Sequence, residues 1–204
     1  GCNNNHNKTI QNIINNEKFL RSRNFDNLSN GIILYKDQKK TIFFDVIQPT
    51  NQGFNNELAA GSLSFEISSC GEKIITNCGG SEGSGKNPSY LKYSAAHSTI
   101  IINNTNISEI KDGYKNKIFS KKVFFESNEN ENLINLTGSH NGYLKNYYKI
   151  CKREISIYKK INLIKGQDTI ISTKTIFDKN VYHIRFHLMP DIIATITKNE
   201  KSVI

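Results

Sequence analysis

The sequence has little of what would break a β-sheet or staple a small domain. Three prolines in 204 residues leave long strands permitted, because proline is the residue that removes a ladder hydrogen bond. The four cysteines, Cys2, Cys70, Cys78 and Cys151, are too sparse for a disulfide scaffold, and no CxxC spacing occurs. A Cys70–Cys78 bridge across a short hairpin is sterically allowed; the default for each cysteine is a small buried hydrophobe. No apolar run approaches the roughly 18 to 20 residues of a bilayer span. The opening GCNNNHNKTI carries no apolar signal core. Neither a membrane span nor an intact secretion signal is therefore expected in the chain as it stands.

Arginine and valine are scarce as well, at 4 each, against 23 Lys, 28 Asn and 30 Ile. That joint skew is what an AT-rich genome imposes wherever the exchange is tolerated, and much of the net charge of +9 follows from it. Nucleic-acid recognition favours clustered basic residues and the bidentate fork of Arg. Here the lysines stand in ones and twos, so no nucleic-acid partner is expected, whereas attraction to an acidic polysaccharide stays open.

What is present points to one domain or a little more, with enough chain to bury a sizeable core. Ile10, Ile13, Ile14 and Phe19 fall near helical spacing and predict one short amphipathic N-terminal helix. From about residue 30, β-branched and aromatic runs recur between Gly, Asn, Asp and Ser clusters: GIILYK, TIFFDVI, SLSFEIS, EKIITN, STIIIN, KIFSKKVFFES, NLINLTG, KREISIYKKI, DTIISTKTIF and VYHIRFHLM. Such spacing without a helical period predicts an all-β chain, an antiparallel multi-stranded sandwich or barrel. Strict alternation over 61–67 puts Leu63, Phe65 and Ile67 on a packed face. Over 181–188 it puts Tyr182, Ile184, Phe186 and Leu188 on one face and Val181, His183, Arg185 and His187 on the other.

Several segments carry polar chemistry. Gly80, Gly85 and Lys86 in GSEGSGKN match phosphate-loop positions, but Asn87 replaces the metal-binding hydroxyl and Pro88 interrupts the helix such a loop must open. Nucleotide binding is not expected there. His183 and His187 on a regular strand lie roughly 13 Å apart and cannot share a metal; with Arg185 they form either a cationic stripe for a polyanion or a solvated face. His97, ahead of the apolar run STIIIN, and His140, in the turn SHNGY, read as hydrogen-bonded structural residues. No Ser/His/Asp or Cys/His arrangement and no acid/base carboxylate pair can be placed from spacing alone.

Six collinear blocks, AAGSLSFEIS (59–68), GEKIITNCGG (71–80), YLKYSAAHSTIIINNTNISEI (90–110), SHNGY (139–143), CKREISIY (151–158) and IRFHLMP (184–190), together resemble the C-terminal β-domain of the heparinase II/III-like polysaccharide lyases. The resemblance implies a β-sandwich over 26–204, truncated at its C-terminal end, and makes 1–25 a helical remnant or linker from an α-toroid domain that the chain lacks. It implies β-elimination on an acidic, uronate-containing polysaccharide, in the cell envelope or periplasm. A base takes the proton alpha to the uronate carboxylate and the glycosidic oxygen leaves the neighbouring carbon. Most of those roles fall to the toroid, so the isolated chain is expected to be catalytically incompetent; the alternative is a non-catalytic module that binds polyanionic carbohydrate or serves as a scaffold. The family's metal positions fall at Ala59, Asn77 and His97, and one imidazole with a neutral amide does not make a zinc site. No cofactor is therefore expected. His97 is the matched site residue, Glu57 stands where a second family His would be and could substitute as a base, and His183, Arg185 and His187 are candidates for substrate binding.

Overall fold

The computed structural model describes residues 25–28, 31–47, 59–78, 89–111, 115–117, 122–175 and 179–197. The expected N-terminal helix, Glu57 and the glycine-serine loop at 80–87 lie outside the described residues.

Most of the described chain is strand. A six-stranded antiparallel sheet is formed by β1 (Phe25–Leu28), β2 (Ile32–Lys36), β3 (Lys40–Asp45), β4 (Phe65–Ser69), β5 (Glu72–Thr76) and, at its far edge, β14 (His187–Leu188). A four-stranded antiparallel meander follows from β9 (Val123–Glu129), β10 (Leu133–His140), β11 (Lys149–Tyr158) and β12 (Leu163–Ser172). Two small ribbons complete it: β6 (Ile100–Ile102) with β13 (Tyr182–Ile184), and β7 (Glu109–Lys111) with β8 (Lys115–Lys117). The short helix α1 (Leu144–Tyr147) links β10 to β11. Among the described residues no helix is long and apolar enough to cross a membrane.

The two large sheets face each other, as the alternation of apolar residues requires when each sheet has one dry face. Ile33, Tyr35, Ile42 and Phe44 from the first meet Ile134, Leu136, Ile155 and Ile157 from the second in one core, with Leu63 and Phe65 closing it. A second cluster of Ile100, Ile102, Ile107, Tyr143 and Cys151 lies beneath the β6 ribbon. The all-β sandwich read from the sequence is the observed architecture.

Four local features differ from expectation. Leu63 has φ +61, left-handed backbone uncommon for a branched residue, so β4 starts only at Phe65 while Leu63 still reaches the core. The run 181–188 is not one strand: β13 pairs with β6, the chain bends at Arg185–Phe186, and β14 pairs with β5 in another sheet. β12 begins at Leu163, ahead of the run DTIIST, because its pairing with β11 continues through Gly166, opposite Ile155. Among the described cysteines, Cys151 is buried, whereas Cys70 and Cys78 are exposed and free.

Gly138 shows how tight the sandwich is. A Cβ there would lie 2.5 Å from Leu63 Cδ2 and 2.9 Å from Phe44 Cζ. Gly138→Ala is therefore expected to cost about 1–3 kcal/mol by overpacking, seen as a lower urea midpoint with unchanged m-value. Gly166→Ala is the control: nothing lies within 4 Å of its Cβ position, so the change is expected to be neutral or mildly stabilising.

Candidate functional site

The solvent-facing side of the six-stranded sheet carries the candidate site. Side chains alternate across β3, so Ile42 and Phe44 point into the core while Phe43 and Asp45 point outward. Phe43 and Ile32 are 39 % and 37 % exposed and form an apolar wall. With Asp45, Ser64, Glu66, Lys73, Asn77 and His97 they line a cavity of about 430 Å³.

His97 follows a single-turn 3-10 helix, Ser94–Ala96, and is buried. Gly61 lets the chain pass over its ring, for a Cβ at 61 would sit 2.9 Å from His97 Cγ. The flanking backbone is pinned: Ser98 N–H donates to Asn77 Oδ1 at 2.8 Å, Ser98 Oγ donates to the Thr76 carbonyl at 2.8 Å, and Thr99 Oγ1 donates to the Ser62 carbonyl at 2.7 Å. Burial pushes the imidazole down to about 4, with neighbouring His187 adding to the effect and a hydrogen bond to the Leu91 backbone opposing it. Nε2 is buried without a partner. The hydrogen bond to Leu91 therefore falls to Nδ1–H, which leaves the Nε2 lone pair as the unsatisfied atom of a neutral ring.

Asp45 is the group that sequence reasoning missed. Burial pushes its carboxyl up to about 7, and the one hydrogen bond that opposes this comes from Ile47 N–H to Oδ1 at 2.9 Å. The cavity thus holds a carboxyl whose hold on its proton burial strengthens and an imidazole whose hold on a second proton burial weakens. Glu66 and Lys73 form an ion pair at 3.0 Å beside them, and Glu66 Oε1 also accepts from Asn77 N–H at 3.2 Å.

The other residues singled out from the sequence are dispersed. His183 lies in β13 opposite Ile101. Arg185 donates its backbone N–H to Thr99 O at 3.1 Å, and its Nε is buried without a partner. The ring of His187 is held between Ala95 O (Nε2, 2.9 Å) and Cys78 Sγ (Nδ1, 3.7 Å). Because the chain bends between β13 and β14, these three do not make the single straight stripe that a continuous strand would give.

The family described as Heparinase II/III-like, C-terminal matches residues 21–204. The chain belongs to that family. A comparison with curated proteins gives no match. The zinc that some heparinase II/III-like domains hold does not fit the residues present: Ala59 offers no donor, and Asn77 Oδ1 is occupied by the Ser98 N–H. Among the described residues no three His, Cys, Asp or Glu side chains come together in a way that could hold a metal.

Proposed function

We propose that this heparinase II/III-like domain is the β-domain of a lyase that acts on uronate-containing polysaccharide by β-elimination, and that it contributes His97 and Asp45 to the reaction. The observation that carries this reading is the partnerless Nε2 of a buried imidazole on the cavity that the Asp45 carboxyl also lines. Nε2 accepts the proton alpha to the uronate carboxylate, Asp45 delivers a proton to the departing glycosidic oxygen, and a double bond conjugated with the carboxylate remains. Lys73 at the rim neutralises the carboxylate so that charge can build on the alpha carbon. Burial makes His97 a weak base in the free domain; an anionic sugar entering beside it favours imidazolium and strengthens it.

On this reading residues 1–25 lead out of an α-toroid domain of a longer protein, which closes the other side of the groove and supplies further acid/base groups, and that protein works in the cell envelope. The isolated chain then has no activity. Full-length protein incubated with alginates and glycosaminoglycans is expected to release ultraviolet-absorbing unsaturated ends, and His97→Ala to lower kcat/KM about 100-fold or more. Absence of such product across both polymer classes overturns the proposal. The lost donors at Ala59 and Asn77 favour a second reading, a non-catalytic module that binds polyanionic carbohydrate or serves as a scaffold; it predicts binding without product.

A further inference from the structure

The end of the sandwich remote from Asp45 has a second opening. β3 spans six residues, Lys40–Asp45, and its ends lie roughly 17 Å apart in extended chain, so this opening is separate from the His97 cavity. It measures about 330 Å³ and lies between the turn joining β2 to β3 and the turn joining β11 to β12. Lysines that look scattered along the sequence meet here, since Lys39 and Lys40 line one side and Lys159 and Lys160 the other.

The four lysines outnumber the carboxylates that meet them among the described residues, those of Asp37 and Glu129. Lys40 is only 5 % exposed, yet among the described residues its ammonium, with three protons to donate, meets the Ile161 carbonyl and Asp37 Oδ2, both at 3.5 Å. Asp37 is already engaged: Oδ2 accepts from Tyr35 Oη at 2.7 Å, and Oδ1 from the backbone N–H groups of Lys39 and Lys40 at 2.7 and 2.6 Å. Lys159 is held by Glu129 Oε1 at 2.6 Å and by the Asn130 carbonyl at 2.7 Å. Lys39 and Lys160 have no ion pair among the described residues. Four lysines against the carboxylates of Asp37 and Glu129 leave a local excess of positive charge that an entering anion offsets. The remaining lining is two amides, Gln38 and Asn162, and Ile161, which is 56 % exposed.

We propose that this opening is a second carbohydrate subsite that takes one anionic sugar unit of a polymer. A carboxylate or sulfate ester sits among the lysines, the amides bond ring hydroxyls, and Ile161 packs on the C–H face. A nucleic acid fits less well, because the lining has no aromatic side chain on which a base could stack and no Arg fork. A bare phosphate would leave the amides and Ile161 unused. The identity of the ligand rests on the acidic-polysaccharide reading above, while the excess of cations does not. A polymer gripped at both openings gains by effective concentration, so the subsite acts on affinity for long chains.

The test is calorimetric titration of the 204-residue chain with a heparin-derived tetrasaccharide at low salt. Binding that weakens as salt rises is expected, and Lys39→Ser/Lys160→Ser is expected to weaken it about tenfold, the scale of two exposed ion pairs. Lys145→Ser/Lys165→Ser removes the same charge from exposed positions elsewhere and is expected to bind as the parent chain does. Equal loss in both double variants would reduce the effect to net charge and overturn the subsite; so would unchanged binding in Lys39→Ser/Lys160→Ser, no binding at all, or inorganic sulfate binding as tightly as the tetrasaccharide. If Lys39→Ser/Lys160→Ser weakens binding while full-length protein yields no unsaturated product, the subsite stands and the lyase reading falls. Active full-length protein with unchanged binding in that variant gives the reverse.

Discussion

Replacing Arg153 by Met is expected to remove about 3–5 kcal/mol of unfolding free energy, the usual cost of stripping one partner from a buried ion pair. Arg153 is 2 % exposed and lies on the core-facing side of β11. Its guanidinium makes a two-pronged pair with Asp168 on β12, Nε to Oδ1 at 2.6 Å and Nη2 to Oδ2 at 2.8 Å. Nη1 donates to the carbonyls of Leu63 at 2.8 Å and Ser98 at 2.7 Å. The rings of Phe65 and Phe186 stand 5.0 and 6.0 Å from its centre. One side chain therefore secures the left-handed backbone at Leu63, the residue after His97 and the bend between β13 and β14. Methionine fills similar space but leaves a nearly buried carboxylate and two carbonyls unpartnered. Urea unfolding measures the loss. Arg153→Met/Asp168→Leu is expected to recover part of it, because the stranded charge goes too. A loss below about 1 kcal/mol in Arg153→Met would place the pair among interactions that contribute little.

Acid is expected to destabilise the domain through the buried His97 and His140. Burial pushes both His97 and His140 down to about 4, with Arg153 nearby adding to the shift at His140. His140 Nδ1 accepts the Gly142 N–H at 3.1 Å, so the neutral ring carries its proton on Nε2, which is buried without a partner. The folded value lies below the ordinary value near 6.5. Stability from each neutral ring is thus fully present above about pH 6.5 and is lost as pH falls towards 4, because the unfolded chain takes up the proton first. A shift of this size corresponds to on the order of 3 kcal/mol for each ring. Asp45 works in the opposite sense: its raised value favours the protonated carboxyl in the folded state, so the fold gains as pH falls from about 7 towards 4. Wild-type protein should show a muted acid slope, Asp45→Asn a steeper one, and His140→Gln a flatter one, all read from urea midpoints between pH 7 and pH 4. A His140→Gln slope as steep as wild type would show that His140 is not held neutral.

The amino-acid sequence by itself determined the class of fold and the family. Alternation such as that of Ile155 and Ile157 in β11 is a local property, and two dry faces have few ways to pack other than on each other. The block around His97 is contiguous in the chain, but spacing alone read that His as structural, and only the family resemblance singled it out as a site residue. The limits of local reading appear at KICKREISIY, where the face that Cys151, Ile155 and Ile157 direct to the core also holds Lys149 and Arg153. Nothing in that run announces a buried cation, because its partners stand 15, 55 and 90 positions away. The bend within 181–188 has the same origin: β6 and β5 compete for one alternating segment and each takes part of it. Asp45 is one residue inside the run TIFFDVI until tertiary packing sets its carboxyl on the same cavity as His97, and the lysine opening exists only because two turns some 120 residues apart in sequence meet. Which residues share a face is set by the two-residue strand period; which faces enclose a charge is set by contacts between distant segments, and these only the tertiary structure decided.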